Sequence, residues 1–265
     1  MRPALRRPAA ARTGLLKVPA TITLGFWITK VLTTGMGEAT SDYLAHAMPV
    51  FIAGAIGGIV FIIALALQFA VRRYITWIYW FAVAMVAVFG TMAADGLHYE
   101  LGIPYLYSAS FYLVVLAVIL VAWYATERTL SIHSIFTWRR EAFYWATVLA
   151  TFALGTALGD LTAYTFGLGF LGGGILFLAV MALPVIGFLV LKLNDVAMFW
   201  FAYIATRPIG ASFADLLGRP RAQGGIDLGD GLVSLCAAVI IVGCVAYLTW
   251  RERQTAATPA DALAE

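Results

Sequence analysis

One pattern recurs four times along the chain, and it constrains the fold more than any other feature. It consists of an aromatic residue, Trp, nine further residues, Gly, four further residues and Asp. The copies begin at Phe26-Trp27, Tyr79-Trp80, Tyr144-Trp145 and Phe199-Trp200. In a shuffled chain with the same 8 Trp and 25 Gly in 265 residues, the Trp-Gly-Asp spacing would arise about 0.02 times. The chain is therefore built from an internal repeat.

The spacing of the repeats predicts two membrane-spanning helices in each of them. The final aspartates of the four copies, which are Asp42, Asp95, Asp160 and Asp215, are separated by 53, 65 and 55 residues. A helix needs about 20 residues to cross a bilayer, so every unit has room for two. Hydrophobic residues make up 62% of the chain and charged residues 12%, with a mean hydropathy of +0.90. This composition excludes a soluble globular protein and predicts a polytopic membrane protein.

The sequence predicts an all-α membrane protein with eight transmembrane helices. The apolar segments cover 20–40, 49–71, 75–95, 104–126, 141–160, 168–192, 196–217 and 229–250. We expect four parallel two-helix repeats related by pseudo-symmetry about the membrane normal. They occupy residues 19–73, 74–128, 138–193 and 194–251, between a basic cytoplasmic tail at 1–18 and a second cytoplasmic tail at 252–265. Whether the repeats form a ring or two pairs stays open, as does the oligomeric state, with a homo-oligomer among the alternatives.

The distribution of Lys and Arg predicts which side of the membrane each end faces. With the N-terminus in the cytoplasm, thirteen of the 17 Lys and Arg residues fall in cytoplasmic segments, and only Arg219 and Arg221 fall in external loops. Cytoplasmic loops of membrane proteins carry an excess of these residues. We therefore expect both termini in the cytoplasm and all four aspartates near the outer boundary of the membrane. The four Trp would then lie in the aromatic belt at the cytoplasmic interface.

Helical periodicity places one acidic stripe on each helix that carries the pattern. The candidate oxygen ligands on these stripes are Glu38, Asp42, Asp95, Asp160, Asp215, Thr91 and Thr156. Carboxylate and hydroxyl oxygens suit Mg²⁺, Ca²⁺ or Mn²⁺ better than soft metals. Glu38 precedes Asp42 by one turn, and two such carboxylates repel unless a cation or a shared proton lies between them. The stripes therefore predict a converging cation site.

Two buried cations and one row of small residues complete the candidate residues. Lys30 and Arg207 lie near the middle of their helices, where an unpaired charge is costly, so each is either a structural ion-pair partner or a substrate or coupling group. Thr34 lies on the stripe of Glu38 and Asp42 and is grouped with Lys30 and Arg207 as a substrate or coupling residue. A different face carries the repeat glycines, which we interpret as helix-packing positions. These are Gly37, Gly90, Gly155 and Gly210.

Two segments resemble a known family. KVLTTGMGEATSD at 30–42 and FWFAYIATRPIGASFAD at 199–215 are similar to hallmark segments of bacterial multi-pass membrane proteins defined by a repeat of unknown function. The second and third repeats lack the Glu and the Arg, and carry GTMAAD and GTALGD instead. The resemblance covers nearly the whole chain and implies an inner-membrane protein of bacteria. It implies no activity.

The leading hypothesis is therefore an integral membrane transporter of a cation, most of all a divalent metal, with the lipid bilayer and an inorganic cation as its partners. The first alternative is a transporter of a small organic or anionic solute anchored by Lys30 and Arg207. The second is a membrane scaffold or accessory subunit that transports nothing. The sequence holds no nucleophile elbow, phosphate loop, HExxH or CxxC motif, so we expect neither an enzyme, nor a cofactor other than a bound divalent cation, nor nucleic-acid binding.

Overall fold

The computed structural model describes the backbone of residues 16–261 and the side chains of residues 16–254. Within that range the protein is entirely helical and has no strand. Its eight long helices are α1 (Leu24–Ala47), α2 (Val50–Ala70), α3 (Thr76–Asp95), α4 (Tyr105–Glu127), α5 (Trp138–Asp160), α6 (Gly169–Leu189), α7 (Asp195–Gly218) and α8 (Asp230–Asp261). The prediction of an all-helical protein with eight long helices is thus confirmed for the described residues. Arg2, Arg6, Arg7 and Arg12 of the predicted basic tail lie outside the described residues.

Side-chain caps start three of the four helices that carry the repeated pattern. Thr23 accepts a hydrogen bond from the backbone N–H of Phe26 at the start of α1 (3.3 Å). Thr137 and Asn194 do the same at the starts of α5 (3.3 Å) and α7 (3.0 Å). Each cap satisfies one of the free N–H groups that a helix leaves at its first turn. The caps therefore fix where these helices begin relative to their Trp residues.

The four helices that carry the pattern form a closed ring. α1 contacts α3, α3 contacts α5, α5 contacts α7, and α7 returns to α1. We call these the ring helices, and we call α2, α4, α6 and α8 the cover helices. Each cover helix packs on the ring helix of the next repeat, and α8 closes the series by packing on α1. The arrangement that the sequence left open is thus a ring.

The repeat glycines lie where neighbouring ring helices approach most closely. A Cβ atom at Gly37 would stand 2.7 Å from the carbonyl carbon of Ala87, and one at Gly210 would stand 2.8 Å from the backbone nitrogen of Gly35. The contact has the same register at all four interfaces, with each Gly meeting the residue seven positions after Trp on the next helix. The pairs are Gly37 with Ala87, Gly90 with Phe152, Gly155 with Arg207, and Gly210 with Thr34. Glycine is needed here because a side chain would hold the backbones apart.

Aromatic residues close one end of the ring, which we call the aromatic end. The residue before each Trp packs against the Trp of the next ring helix. The pairs are Phe26 with Trp80, Tyr79 with Trp145, Tyr144 with Trp200 and Phe199 with Trp27, at ring-centroid distances of 5.4, 5.7, 6.0 and 5.7 Å. The expectation that the four Trp form an interfacial belt is wrong, because Trp80, Trp145 and Trp200 are buried inside the bundle. All four pairs are tilted ring contacts, and together they link the four ring helices at this end.

The outside of the bundle is apolar, whereas polar groups lie within it. The cover helices expose large apolar side chains such as Phe51, Ile62, Val121 and Val239. Among the described helices, α2 to α6 and α8 are long and apolar enough to cross a membrane, which makes six. The helices α1 and α7 are not among these six, and each carries three charged residues within its bounds. An exposed apolar surface of this extent is typical of a membrane protein.

The opposite end of the ring, which we call the acidic end, carries the aspartates of the pattern. Directly after Asp95 and Asp160, the helices α3 and α5 widen into π-helical turns at Gly96–Glu100 and Leu161–Thr165. The helices α1 and α7 continue as α-helix past Asp42 and Asp215. π-Helical turns occur frequently next to functional sites. The first and fourth repeats thus resemble each other at this end, as do the second and third.

Residues 16–18, at the end of the predicted tail, are buried in the bundle. The Lys17 ammonium forms an ion pair with Glu141 of α5. The other Glu141 oxygen accepts a hydrogen bond from Gln68 of α2 (3.0 Å). The backbone N–H of Lys17 also donates to the carbonyl of Ile135 (3.0 Å). The segment therefore joins α2, α5 and the α4–α5 connection.

We expect Glu141→Gln to lower the free energy of unfolding by about 2 kcal/mol, because it leaves the Lys17 ammonium buried without its carboxylate. The midpoint of thermal unfolding of the purified protein in detergent measures the effect. Glu127→Gln is the control, since Glu127 pairs with Arg140 and with the well-exposed Arg139. Equal midpoints for the two variants would contradict a stabilising role for the buried pair.

Candidate functional site

The middle of the ring holds a buried arginine surrounded by oxygen atoms. The Nη2 atom of Arg207 donates to Glu38, to Thr91 and to Thr156, the last at 2.6 Å. All four residues have at most 2% of their surface exposed. Three of the predicted oxygen ligands are thus brought together, and they contact a guanidinium group.

The repeat itself explains why these residues meet. Glu38, Thr91 and Thr156 each follow the repeat Gly directly, so they occupy the same level in three ring helices. The fourth helix has Ala211 at this position. Alanine leaves space at that level, and Arg207, one turn earlier on the same helix, reaches into it. The fourth repeat therefore supplies a cation to a layer of oxygen atoms that the other three repeats build.

Lys30 lies beside this layer but does not join it. Its Nζ atom is 3.9 Å from the ring centroid of Phe152 and 4.3 Å from that of Tyr203. No hydrogen-bond acceptor among the described residues reaches Nζ, and only 1% of the residue is exposed. The aromatic faces stabilise the ammonium by cation–π attraction, worth about 2 kcal/mol when the group is desolvated. The ion pair predicted for Arg207 exists, whereas Lys30 has no carboxylate partner in the described part of the chain.

Three carboxylates converge where the middle of the ring meets the acidic end. Glu38, Asp42 and Asp215 each offer an oxygen atom, and these atoms lie within 4.8 Å of one another. All three residues are buried. We call this group the carboxylate triad. Among the described residues it is the one group of three or more acidic, His or Cys side chains with metal-binding spacing.

A cavity of about 460 Å³ adjoins the triad at the acidic end. Asp42 and Asp95 line it, together with Tyr99, Tyr164 and Arg219. Asp95 lines the cavity and Asp160 does not, and neither residue belongs to the triad. The five predicted carboxylates therefore lie at one end of the ring, but only three of them are close enough to share one ion.

Thr34 and the histidines lie outside this site. The Thr34 hydroxyl donates to the carbonyl of Val31 (2.6 Å) and contacts that of Thr206 (3.3 Å), so it belongs to the α1–α7 packing contact. His46 bonds the carbonyl of Asp42 (2.8 Å) at the edge of the cavity, and His98 bonds that of Ile103 (2.8 Å). None of the three contributes an atom to the triad.

Arg219 is the site residue that the sequence analysis missed. Its Nη2 atom is 2.8 Å from Asp42, and its Nε atom donates to Asp215 at 3.2 Å. The sequence analysis assigned it only to an external loop. The spacing was a usable signal, because Arg219 follows Asp215 by four residues and ends α7. Side chains four residues apart on a helix lie next to each other.

Comparison with known proteins gives one result about the whole chain. A family model described as a Repeat of Unknown Function (DUF347) matches four times in succession, over residues 25–74, 78–129, 143–192 and 198–254. Each match contains one ring helix and the cover helix that follows it. No curated protein and no solved structure matches significantly. The comparisons thus identify the repeat, and the interpretation of its chemistry depends on the geometry of the ring.

Proposed function

The chain belongs to the Repeat of Unknown Function (DUF347) family, and we propose that it is an integral membrane transporter of a cation, most of all a divalent metal. The observation that carries the proposal is the carboxylate triad. Three buried residues offer oxygen atoms within 4.8 Å of one another, next to a cavity at the acidic end. Hard oxygen donors at this spacing suit Mg²⁺, Ca²⁺ or Mn²⁺.

The proposal includes eight membrane spans with pseudo-symmetry about the membrane normal. The helices α1 and α7 have 24 residues each, which is enough to cross a bilayer. Their central charges at Lys30, Glu38 and Arg207 are buried in the ring, away from lipid. The equivalent glycine and aromatic contacts at all four interfaces support four parallel repeats around one axis.

The orientation follows from the distribution of basic residues. Most of the described Lys and Arg residues lie at the aromatic end, including Arg72 and Arg73 in the connection between α2 and α3 and Arg139 and Arg140 in the first turn of α5. The positive-inside rule therefore favours the aromatic end in the cytoplasm and the acidic end outside. The cavity at the acidic end is then the external entrance. The bacterial inner membrane is the location that agrees with the family resemblance.

Arg207 supports a cation as the transported species. A cation that moves from the triad towards the middle of the ring would meet the oxygen atoms of Glu38, Thr91 and Thr156, which now contact the guanidinium. Arg207 can thus be understood as a resident cation that holds these ligands together between transport events. Such an exchange would keep the buried carboxylate of Glu38 paired with a cation before and after it.

The aromatic end suggests a carrier that exposes its site to one side at a time. The aromatic layer closes the ring below Lys30, whereas the cavity leaves the acidic end accessible. Alternating access in repeat-built transporters moves whole repeats about a central site. In this proposal the structure corresponds to the state that is open to the outside.

Lys30 favours a second candidate, a transporter of a small anionic or organic solute. Its ammonium is buried without a hydrogen-bond acceptor among the described residues, and Arg207 lies on the same aromatic ring, with Cζ 5.6 Å from the Phe152 centroid. Two cations near one carboxylate would attract an anion. Flux abolished by Lys30→Gln and unaffected by Asp42→Asn would favour this candidate over cation transport.

Thermal unfolding in the presence of ions tests the cation proposal. We expect one of Mg²⁺, Ca²⁺, Mn²⁺, Zn²⁺, Co²⁺, Ni²⁺ or Na⁺ to raise the unfolding midpoint of the wild-type protein. An ion at 100 times its dissociation constant stabilises the folded state by about 2.7 kcal/mol. Asp42→Asn should abolish the shift, because it removes one of the three charges of the triad.

Asp227→Asn is the matched control, because Asp227 is an exposed aspartate in the loop at the same end of the ring. It should keep the full wild-type shift. An equal shift in Asp42→Asn would place the ion elsewhere, and no shift with any of the ions would count against a cation site. Flux of the stabilising ion into proteoliposomes then separates a transporter from a scaffold that only binds it.

A further inference from the structure

Arg219 is held in place by the loop that follows α7. Its backbone N–H donates to the carbonyl of Asp215 (2.9 Å), and its own carbonyl accepts from the N–H of Asp227 (3.0 Å). The chain also passes so close at Gly225 that a Cβ atom there would overlap the Arg219 carbonyl group. The backbone of Arg219 is therefore fixed, and movement of its charged group would occur through the side chain.

The guanidinium of Arg219 lies between the cavity and the carboxylate triad. It reaches Asp42 at 2.8 Å and Asp215 at 3.2 Å, which are two of the three triad members. Only 13% of its side chain is exposed. Arg219 also lines both the 460 Å³ cavity and a neighbouring one of about 220 Å³ at the same end. It thus lies on the route by which an ion from the cavity would reach the two aspartates.

Arg219 keeps its positive charge in this position. Burial alone would lower the pKa of the guanidinium, but the carboxylates of Asp42 and Asp215 outweigh this effect and raise the pKa above its ordinary value. The Arg219 guanidinium therefore neutralises part of the negative charge of the triad at every physiological pH. A mobile cation and Arg219 would compete for the same oxygen atoms.

We propose that Arg219 is a tethered competitor that occupies the outer side of the triad and leaves it when the transported cation binds. This inference rests on the proposed function, and it identifies the residue that regulates access to the site. It differs from the role of Arg207, which is fully buried in the middle of the ring and contacts neither aspartate of the triad by an ion pair within the described residues. The side chain of Arg219 needs only to rotate towards the cavity, which has room for it.

The competition predicts that loss of the Arg219 charge strengthens cation binding. Arg219→Gln removes the competitor and keeps all three carboxylates. We expect its dissociation constant for the stabilising ion to be at least about tenfold lower than that of the wild-type protein, since interactions between close charge pairs typically exceed the 1.4 kcal/mol that corresponds to one factor of ten. Titration of purified protein with Mn²⁺ and with Mg²⁺, followed by calorimetry, measures the constant directly.

Two further variants test whether the change in affinity depends on a positive charge at residue 219. Arg221→Gln removes the same charge two residues later, from an exposed position at the start of the short helical turn Arg221–Gln223. It should bind the ion as the wild-type protein does. Arg219→Lys keeps the charge but cannot contact two carboxylates through a planar fork, so its affinity should lie between those of the wild-type protein and Arg219→Gln.

The outcomes separate the inference from the proposed function. Unchanged or weaker binding by Arg219→Gln, while the wild-type protein binds, would overturn the inference and leave the cation site in place. Weaker binding with a lowered unfolding midpoint in both Arg219 variants would identify Arg219 as a structural support of the triad, which also overturns it. Absence of binding in every protein would overturn the cation site, and the inference with it.

Discussion

Replacing Glu38 by Gln is expected to lower the free energy of unfolding by about 3–5 kcal/mol, the cost of removing one partner of a buried ion pair. Glu38 is the carboxylate partner of Arg207, whose guanidinium is fully buried. The substitution changes the size of the side chain very little and removes only its charge. Thermal unfolding of the purified protein in detergent, without added ions, measures the loss.

A double variant distinguishes a charge effect from a packing effect. In Glu38→Gln with Arg207→Gln both charges are absent, so we expect a recovery of more than half of the loss. Thr91→Val is the control for the oxygen layer, since it removes a neutral partner of Arg207 and should cost about 1 kcal/mol. If Glu38→Gln unfolds at the wild-type midpoint, Arg207 has another partner, and the ion pair does not stabilise the ring.

The second large effect is expected at the closest contact between ring helices. Gly210→Ala should lower the free energy of unfolding by about 3 kcal/mol, because the new methyl group would lie 2.7 Å from the Cβ atom of Thr34 and 2.8 Å from the nitrogen of Gly35. Flexible side chains can move aside at small cost, but the backbone of α1 cannot. The unfolding midpoint again measures the loss.

Gly243→Ala in α8 is the matched control, with the same chemical change in another long helix. Apart from its chain neighbours and the adjacent backbone of α8, no atom of the described residues lies within 4 Å of the position that its Cβ would take. Alanine is favoured over glycine inside a helix by about 1 kcal/mol, so the control should be neutral or slightly stabilising. A loss of similar size at both positions would show that helix packing at Gly210 is not special.

The repeated pattern and the apolar segments were sufficient to predict an all-helical protein with eight long helices. Gly and Asp recur at a fixed distance from Trp because every copy makes the same contact with the next one. The pattern also grouped Glu38 with Thr91 and Thr156, since residues at one register of a repeat lie at one level. The level in the ring of each side chain that recurs with the repeat could therefore be predicted from the sequence.

Features that depend on how the repeats pack together could not be predicted from the sequence. The buried position of Trp80 requires Phe26 of the preceding repeat, and hydropathy alone cannot distinguish a lipid-facing Trp from an internal one. Arg219 and Lys17 have no counterpart in the repeated pattern, and each meets a partner from a distant part of the chain. Long-range charge pairs of this kind leave no periodic signal in a single sequence.

The packing of each cover helix on the ring helix of the next repeat has a consequence for biosynthesis. Because each ring helix is covered by the helix that ends the preceding repeat, α1 receives its cover from α8, which is made after the other seven long helices. Glu38 likewise meets Arg207 only after 169 further residues. During synthesis the carboxylate of Glu38 therefore stays without its guanidinium partner until α7 has been made. The ring and its cover are complete only after α7 and α8 have been made. Until then, water or other groups must solvate the charged side chains of α1.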